Sequence, residues 1–227
     1  SGMGLMKAAQ IAPDAILLPA NFDAYRDYSR RFKAAVAQIA PLIEDRGIDE
    51  IYIDLGHHHD ESNVLARRIK QAVFDVCGLT CSIGISPNKM LSKICSDLDK
   101  PDGITILAKE EIPNRIWPLA AKKINGIGPK ASQKLSRLGI YTIGELAATP
   151  LAVLVHEFGR TNGPWLHEVA QGIDERPVIT ACEPKSISRE STFERDMHAK
   201  QDRSALSEIF TSLCMRVADD LQRKGYA

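Results

Sequence analysis

Apolar residues recur at helical spacing over two long stretches of the first hundred residues. The first stretch runs from residue 21 to about 42, with Asn21 or Asp23 as the cap, and the second runs from about 62 to 76. Both patterns predict amphipathic helices, because one face of a helix repeats every three to four residues. Apolar positions of the first stretch are Phe22, Tyr25, Tyr28, Phe32, Val36, Ile39 and Ile43.

Strand patterns lie between these helices. The segment 51–55 is rich in β-branched and aromatic residues, and "LTCSIGIS" (79–86) and "KPDGITIL" (100–107) predict two further strands on either side of a short helix in "SPNKMLSKICSDL". Because strands alternate with helices, we expect an α/β layer.

The pattern changes after about residue 109. Short helices separated by Gly and Pro continue to "GIDERPV" (172–178), which predicts a small all-helical unit. A polar connector follows, and then "SISRESTFERDM" (186–197) predicts a strand before a helix that begins near Asp202. We therefore expect a partial α+β module at the end of the chain.

Composition narrows the class of protein. The chain has 227 residues with 29 basic and 29 acidic side chains, and no apolar run is long enough to span a bilayer. These features predict a cytoplasmic protein whose nucleic-acid binding, if any, comes from a local cluster of positive charge. The five cysteines form no CxxC pair and are interpreted as buried thiols; they are Cys77, Cys81, Cys95, Cys182 and Cys214.

Two neighbouring carboxylates, Asp49 and Glu50, open the strand pattern at 51–55. Adjacent side chains on a strand point to opposite faces, so both could bind one ligand only at a turn or bulge, which Gly47 would permit. One interpretation is a Mg²⁺ site, since a cation would offset the repulsion between the acids. The other is an exposed strand end whose acids face water, and the spacing alone leaves both open.

The three histidines that follow, His57, His58 and His59, are interpreted as a loop and not as a metal site. Consecutive residues rarely converge on one ion, and the sequence has no second cluster with ligand spacing. Asp54 is interpreted as an exposed strand residue.

The stretch 122–146 contains the local positive charge. Gly126 and Gly128 favour a tight turn between two helices, and Pro129 suits the first position of the second helix. Backbone N–H groups at such a turn can bind phosphate, although a purely structural helix pair is the alternative. Residues 156–172 repeat this pattern more weakly. Basic residues of the stretch are Lys122, Lys123, Lys130, Lys134 and Arg137.

Other basic residues are less specific. Lys89 and Lys93 lie four apart on the predicted short helix and, like Lys100, are interpreted singly as solvated surface charges. Lys185 begins "KSISRESTF" (185–193), which could lie along phosphates or be plain sheet surface.

Together these motifs resemble the Y-family translesion DNA polymerases, of the DNA polymerase IV (DinB) type. The motifs occur in the family's order over almost the whole chain. They are "FDAYRDYSR", "GIDEIYIDL", "SIGISPNKMLSKICSDLDKPDG", "INGIGPK", "QGIDERPV" and "KSISRESTF".

The resemblance implies an α/β palm with helices on a mixed sheet, a small all-α helix-hairpin-helix thumb and a partial α+β little finger. The implied limits are a fingers remnant at 1–22, the palm at 23–108, the thumb at 109–175, a linker at 176–184 and the little finger from 185 to 227. It also implies DNA-directed DNA polymerase activity on primer–template DNA and dNTPs with two Mg²⁺ ions, and use in DNA repair.

The same resemblance assigns roles to residues. Asp49 and Glu50 match the catalytic metal-binding acids, and Lys100 matches a lysine that contacts the triphosphate of the incoming nucleotide. The remaining matches are implied DNA contacts: Asn125, Gly126, Ile127, Gly128 and Lys130 in the thumb, and Ser186, Ser188 and Arg189 in the little finger.

Some features of the family are altered in this sequence or lie outside the matched segments. Gly47 and Ile51 replace the usual Ser and Ala beside the acids, and the family's first catalytic aspartate strand precedes the segments matched here. We therefore expect residues 1–227 alone to have little polymerase activity, and a sliding-clamp contact to require a segment beyond them.

Two other functions stay open. A catalytically idle relative would bind DNA or protein without chemistry. A helix-hairpin-helix repair protein of another kind is disfavoured by the preceding α/β layer.

Overall fold

The computed structural model describes residues 3–56, 61–181 and 183–226. The chain divides into two compact units, Ser1–Thr180 and Ala181–Ala227. The histidines at 57–59 and Cys182 lie outside the described residues, so the predictions made for them stay predictions. Within the described part, no helix is long and apolar enough to cross a membrane.

The first part of unit one is an α/β layer. Helices α1 (Leu5–Ile11), α2 (Phe22–Ala37), α3 (Ser62–Cys77) and α4 (Lys89–Leu98) accompany strands β1 (Ile43–Asp45), β2 (Ile51–Ile53), β3 (Ile83–Ile85) and β4 (Ile104–Ile106). Strand β1 pairs antiparallel with β2, and β3 pairs parallel with β4 across α4. Among the described residues, the antiparallel pair and the parallel pair form two separate two-stranded sheets.

Helices α2 and α3 pack on each other over a small apolar core. Val36 of α2 contacts a cluster on α3 formed by Leu65, Ile69 and Val73, and Ile53 and Ile83 pack against this cluster from the strands. The two helical faces predicted from apolar spacing thus meet each other and the sheets.

Helix α2 is shorter than predicted. Its N-cap is confirmed, because the Asn21 side chain accepts a hydrogen bond from the Ala24 amide at 3.1 Å. The helix ends at Ala37 and not near residue 42. Pro41 disfavours helical backbone at the residue before it, so the chain turns and forms β1, a three-residue strand too short to give a period.

The second part of unit one is helical. It contains 3₁₀ turns at Lys109–Glu111 and Ala121–Lys123 and helices α5 (Ile112–Arg115), α6 (Pro129–Arg137), α7 (Ile143–Ala148) and α8 (Leu151–Ala170). Helix α8 is broken at Gly159, where φ is 84°. One apolar core runs from Leu91 of α4 to Leu166 of α8, and Trp117 and Trp165 are partly buried against it.

Unit two contains helix α9 (Arg203–Arg223). The strand predicted at 186–197 is absent, since the described residues from 183 to 202 form no strand. A single strand has no neighbour to satisfy its backbone groups, which explains the difference. The fold class is otherwise that of the prediction: an α/β layer, a small helical region and a terminal module.

Candidate functional site

The acids Asp49 and Glu50 lie on the hairpin that joins β1 to β2. The register pairs Asp45 with Ile51, which leaves residues 46–50 as the loop. The Arg46 amide closes this loop by donating to the Glu50 carbonyl at 3.1 Å, and Gly47 has φ of 143°. Both acids are exposed. The predicted turn at Gly47 is confirmed, because such a positive φ is readily adopted only by glycine.

Lys33 of α2 holds the base of this loop. Its ammonium group lies 2.8 Å from each carboxylate oxygen of Asp45 and 2.6 Å from the Gly47 carbonyl oxygen. The Gly47 amide donates to Asp45 Oδ1 at 3.0 Å. Hydrogen bonds from Lys33 and Gly47 keep the pKa of Asp45 below its ordinary value. The loop that carries the acids is therefore fixed at its start by charge.

The acids line a cleft of about 970 Å³. Its opposite wall is formed by one face of α4 and by the loop at 100–102, so that Lys93 and Lys100 line the same space as Asp49 and Glu50. The structure thus brings together the predicted acids and the predicted triphosphate lysine.

Within the cleft the charges are paired. Lys93 donates to a carboxylate oxygen of Glu50, and Lys100 lies 2.6 Å from Asp97. Burial lowers the pKa of Lys93, but the hydrogen bond to Glu50 and the negative charges of Glu50 and Asp97 together outweigh burial, so the net pKa is raised. A cation therefore already faces Glu50, and a ligand that binds this acid would compete with Lys93.

Lys89 is buried and not a solvated surface charge, so that interpretation was wrong. Its ammonium group lies 2.7 Å from Glu44 Oε2 on β1, and the side chains of Lys89 and Glu44 are only 9% and 8% exposed. The Ile179 amide also donates to Glu44 at 2.9 Å. Burial raises the pKa of Glu44, but the bonds from Lys89 and Ile179 bring the net pKa below its ordinary value. Lys89 therefore joins the hairpin to α4.

The connector "GIDERPV" is fixed to the start of α4. The Met90 amide donates to Asp174 Oδ2 at 3.1 Å, and Asn88 caps the helix while donating to the Gly172 carbonyl at 2.8 Å. Arg176 forms two hydrogen bonds, of 2.6 and 2.8 Å, with the carboxylate of Asp174. A carboxylate is favoured at a helix N-terminus, so this segment is held by the α4 amides.

The loop that carries Lys100 is held from α3. Lys70 donates to the Cys81 carbonyl at 2.7 Å, to the Asp102 carbonyl at 2.6 Å and to the Asp102 carboxylate. Asp102 has φ of 58°, in the left-handed region. Neither Lys70 nor Lys33 could be identified from the sequence, because both lie in ordinary amphipathic helix patterns.

The acid pair fits a hydrated Mg²⁺ ion. Among the described residues no group of three His, Cys, Asp or Glu side chains could hold a metal. Mg²⁺ commonly binds through one or two carboxylates together with substrate phosphates, and it retains water. Asp49 and Glu50 offer two exposed carboxylates of this kind, and Lys93 and Lys100 in the same cleft are cations that suit phosphate and not the metal.

The glycine hairpin, residues 124–129, lies between the second 3₁₀ turn and α6. Gly126 has φ of 108°, and a Cβ placed there would lie 2.7 Å from the Trp165 ring. Gly128 has nothing within 4 Å of such an atom. Ile127 is buried, so this predicted DNA-contact residue can offer a ligand only its backbone, whereas Asn125 is exposed.

Helix α6 begins at Pro129 with no side-chain cap. The amides of a first turn have no partner within the helix, and exposed Lys130 lies beside them. Lys134 donates to the Glu157 carbonyl and lies 3.3 Å from its carboxylate, so its charge is already neutralised. The available positive charge beside this hairpin therefore comes from the other basic residues of the stretch 122–146, among them Lys130 and Arg137.

In unit two, Ser186 and Ser188 are exposed on an irregular segment. Arg189 lies 2.5 Å from Asp220 of α9, which also pairs with Arg223. Hydrogen bonding to Asp220 raises the pKa of Arg189. Arg189 thus ties the segment to α9, while both serines present free surface.

Three family models match successive parts of the chain. They are the impB/mucB/samB family at residues 1–97, the DNA polymerase-iota thumb domain at 122–174 and the impB/mucB/samB family C-terminal domain at 184–227.

Curated relatives match over the full chain. DNA polymerase IV of Moorella thermoacetica is 34% identical over 231 residues, which cover 100% of this chain and 57% of that protein. DNA polymerase IV 1 of Bacillus subtilis is 40% identical over 98% of this chain and 54% of its own length. The chain therefore spans little more than half the length of these relatives.

Solved structures agree. The crystal structure of DinB from Sulfolobus solfataricus has a TM-score of 0.72 and 32% identity, covering 79% of this chain and 54% of that one. A ternary complex of Dbh with partially disordered substrates has a TM-score of 0.70 and 31% identity, covering 79% of this chain and 55% of that one.

Proposed function

Because the chain belongs to the Y family of DNA polymerases and is of the DNA polymerase IV type, we propose that this protein is a template-directed translesion polymerase. It would add nucleotides from dNTPs to the 3′ end of a primer during synthesis across damaged DNA. The observation that carries the proposal is the cleft in which Asp49 and Glu50 face Lys93 and Lys100.

Asp49 and Glu50 are the proposed metal-binding acids. They would hold Mg²⁺, two ions in the complete site, together with phosphate oxygens of the nucleotide. When bound, Mg²⁺ supplies stabilisation of the charge on the phosphates and favours deprotonation of the primer hydroxyl. The exposed position of both acids on a fixed hairpin supports this role.

Lys100 is the proposed contact for the triphosphate. It is exposed, pairs with Asp97 at the cleft and lies on a loop held by Lys70. A surface ion pair contributes little stability, so exchange of Asp97 for a phosphate costs little. Lys93 would orient Glu50 before the metal binds and would add positive charge afterwards.

The glycine hairpin is the proposed grip on the DNA backbone. Asn125, Gly126, Ile127 and Gly128 would offer main-chain amides, and Lys130 would contribute charge. Such contacts fix register without reading sequence, as a polymerase requires. Ser186, Ser188 and Arg189 are proposed as further backbone contacts, and Arg189 would exchange Asp220 for phosphate.

The domain limits follow the same proposal. A fingers remnant would occupy 1–22, the palm 23–108, the thumb 109–175 and the linker 176–184, with the little finger from 185. The core shared by α4 and α8 means that palm and thumb would meet without a break in packing. A cytoplasmic location and a contact with a sliding clamp stay predictions.

The test is formation of a ternary complex. The chain is titrated into fluorescent primer–template DNA, and a fluorescent dNTP is then added with Mg²⁺. We expect DNA binding by the chain and Mg²⁺-dependent binding of the nucleotide that pairs with the template base. Asp49→Asn with Glu50→Gln should abolish the nucleotide step and leave DNA binding unchanged.

A second candidate is a catalytically idle relative that binds DNA. It is favoured by the ion pair between Lys93 and Glu50, and among the described residues no group of three His, Cys, Asp or Glu side chains could hold a metal ion. DNA binding with no Mg²⁺-dependent nucleotide step would support this candidate and contradict the polymerase proposal.

A further inference from the structure

Two lysines outside the cleft reach the two loops that carry its functional groups. Lys33 lies on α2 and Lys70 on α3, and their side chains are only 20% and 18% exposed. Neither lines the cleft. Each ammonium group binds one of these loops, and Lys70 also binds the Cys81 carbonyl, so each helix makes a charged contact with one loop of the site.

Lys33 uses its charge on the start of the acid hairpin. It contacts both oxygens of Asp45 and the carbonyl of Gly47, which matches the three donors of an ammonium group. The Gly47 amide donates to Asp45 as well, so both the N–H and the carbonyl group of Gly47, two residues before Asp49, are held by hydrogen bonds. Without Lys33, Asp45 would lose its cationic partner and the loop its tie to α2.

Lys70 uses its charge on the loop that carries Lys100. Its acceptors are the carbonyls of Cys81 and Asp102 and the carboxylate of Asp102, two residues beyond Lys100. Asp102 occupies the left-handed region, which costs energy for a residue with a Cβ. Lys70 therefore links the chain before β3 to a loop in a conformation that needs support.

We propose that Lys33 and Lys70 are positioning residues, Lys33 for Asp49 and Glu50 and Lys70 for Lys100. This inference rests on the proposed function, because it assigns the two loops to metal and triphosphate. Each lysine acts on its own loop, so the acid pair and the phosphate contact are set independently.

Helix packing does not account for these contacts. The helices α2 and α3 are held together by Val36, Leu65, Ile69 and Val73, which are buried. The carboxylates that the lysines bind are 64% and 50% exposed; Asp45 is the last residue of β1, next to the acid loop, and Asp102 lies on the loop that carries Lys100. Loss of a lysine should therefore loosen a loop and leave the helix pair in place.

The experiment measures amide hydrogen exchange by NMR in the intact chain. Lys33→Met and Lys70→Met keep most of the unbranched apolar side chain and remove its donors. The reporters for the first loop are the Arg46 and Gly47 amides. The reporters for the second loop are the Ile83 amide, which donates to the Gly103 carbonyl, and the Gly103 amide, which donates to the Ser82 hydroxyl. Controls are Arg30→Met and Arg67→Met, exposed positions on the same helices.

We expect Lys33→Met to speed exchange at Arg46 and Gly47 about tenfold, because charge-assisted hydrogen bonds limit local opening. Exchange at Ile83 and Gly103 should not change in this variant. Lys70→Met should speed exchange at Ile83 and Gly103 and leave Arg46 and Gly47 unchanged. Unchanged exchange at its own loop, or equal change at both loops, would overturn the inference for that lysine. The control variants should change neither pair.

Ligand binding separates this inference from the proposed function. Mn²⁺ binding should weaken in Lys33→Met and not in Lys70→Met, whereas dATP binding in EDTA should weaken in Lys70→Met and not in Lys33→Met. If the unchanged chain binds neither Mn²⁺ nor dATP, the proposed function fails, and the exchange data alone decide whether the lysines hold the loops. The positioning role is overturned by a different result: exchange changes as expected and the unchanged chain binds both ligands, but the two lysine variants bind them as tightly as the unchanged chain does.

Discussion

The two hairpins of the candidate site are held in different ways. The acid hairpin, residues 46–50, is exposed; Lys33 holds its start through Asp45 and the Gly47 carbonyl, and Lys93 pairs with Glu50. The glycine hairpin, residues 124–129, is fixed by apolar packing, with Ile127 buried and the Trp165 ring against Gly126. One depends on charge and the other on shape.

This difference matches what each hairpin is proposed to bind. An ion pair can exchange one partner for a cation or phosphate at small cost, so the acid hairpin can respond to its ligand. A loop packed against a ring has one conformation, and it presents backbone amides at fixed positions. Substitutions should therefore separate into those that break packing or buried charge and those that alter only binding.

The largest expected effect comes from the buried ion pair that joins the acid hairpin to α4. Lys89→Met removes the cation and leaves Glu44 charged and buried, which should lower the free energy of unfolding by about 3 kcal/mol or more. The measurement is chemical denaturation at neutral pH. As a control, Lys89→Met with Glu44→Leu should recover most of the loss, because no unpaired charge remains; no recovery would show that Lys89 acts through something other than Glu44.

The next largest effect is expected from a substitution that disrupts the packing of the glycine hairpin. Gly126→Ala places a Cβ 2.7 Å from Trp165 in a backbone with φ of 108°, so we expect a loss of about 2–4 kcal/mol in the free energy of unfolding. Gly128→Ala is the matched control, since φ is −76° and the space is open. It should leave stability unchanged and weaken binding to duplex DNA. Equal destabilisation by both substitutions would contradict the packing account.

A moderate effect concerns acid stability through the connector. Hydrogen bonds from Arg176 keep the pKa of Asp174 below its ordinary value despite burial. The stability this gives is present above the unfolded pKa of about 4 and is lost as pH falls towards the folded pKa. Thermal unfolding midpoints of the unchanged chain should thus fall more steeply below pH about 4 than those of Asp174→Asn. The control Asp23→Asn, at a side chain that is 95% exposed, should keep the steep fall.

The smallest effect concerns the charge beside the glycine hairpin. Lys130 is exposed, and Lys130→Ala should leave the free energy of unfolding within about 0.5 kcal/mol of its value. Binding to duplex DNA should weaken, and the slope of log affinity against log salt should fall by about one unit. Fluorescence anisotropy over a salt series gives both quantities. An unchanged slope would remove Lys130 from the DNA surface.

Much of the fold could be predicted from the sequence. Helix α3 and helix α4 lie close to their predicted ranges, because apolar spacing and the Asn88 cap are local signals. Strand β1 and the end of α2 were missed, since a three-residue strand after Pro41 carries no period. The predicted strand at 186–197 failed for the opposite reason: its alternation is present, but the described residues of unit two form no strand that could pair with it.

The candidate site was predictable only where chemistry is concentrated in sequence. Asp49, Glu50 and Gly126 stood out by local pattern. The partners that fix them did not, because Lys33 and Trp165 are distant in sequence and typical of their helices. Lys89 was misjudged as surface charge, since its burial depends on Glu44, 45 residues away. Cys214 is exposed, contrary to the buried interpretation.

The central claim is that Asp49 and Glu50 hold a divalent cation in the cleft. Its most direct test is titration of the ¹⁵N-labelled chain with Mn²⁺, which broadens the NMR signals of nearby amides. We predict selective broadening at residues 47–51 that is abolished by Asp49→Asn with Glu50→Gln and displaced by Mg²⁺. Broadening elsewhere, or broadening at residues 47–51 that persists in the double variant, would contradict the assignment.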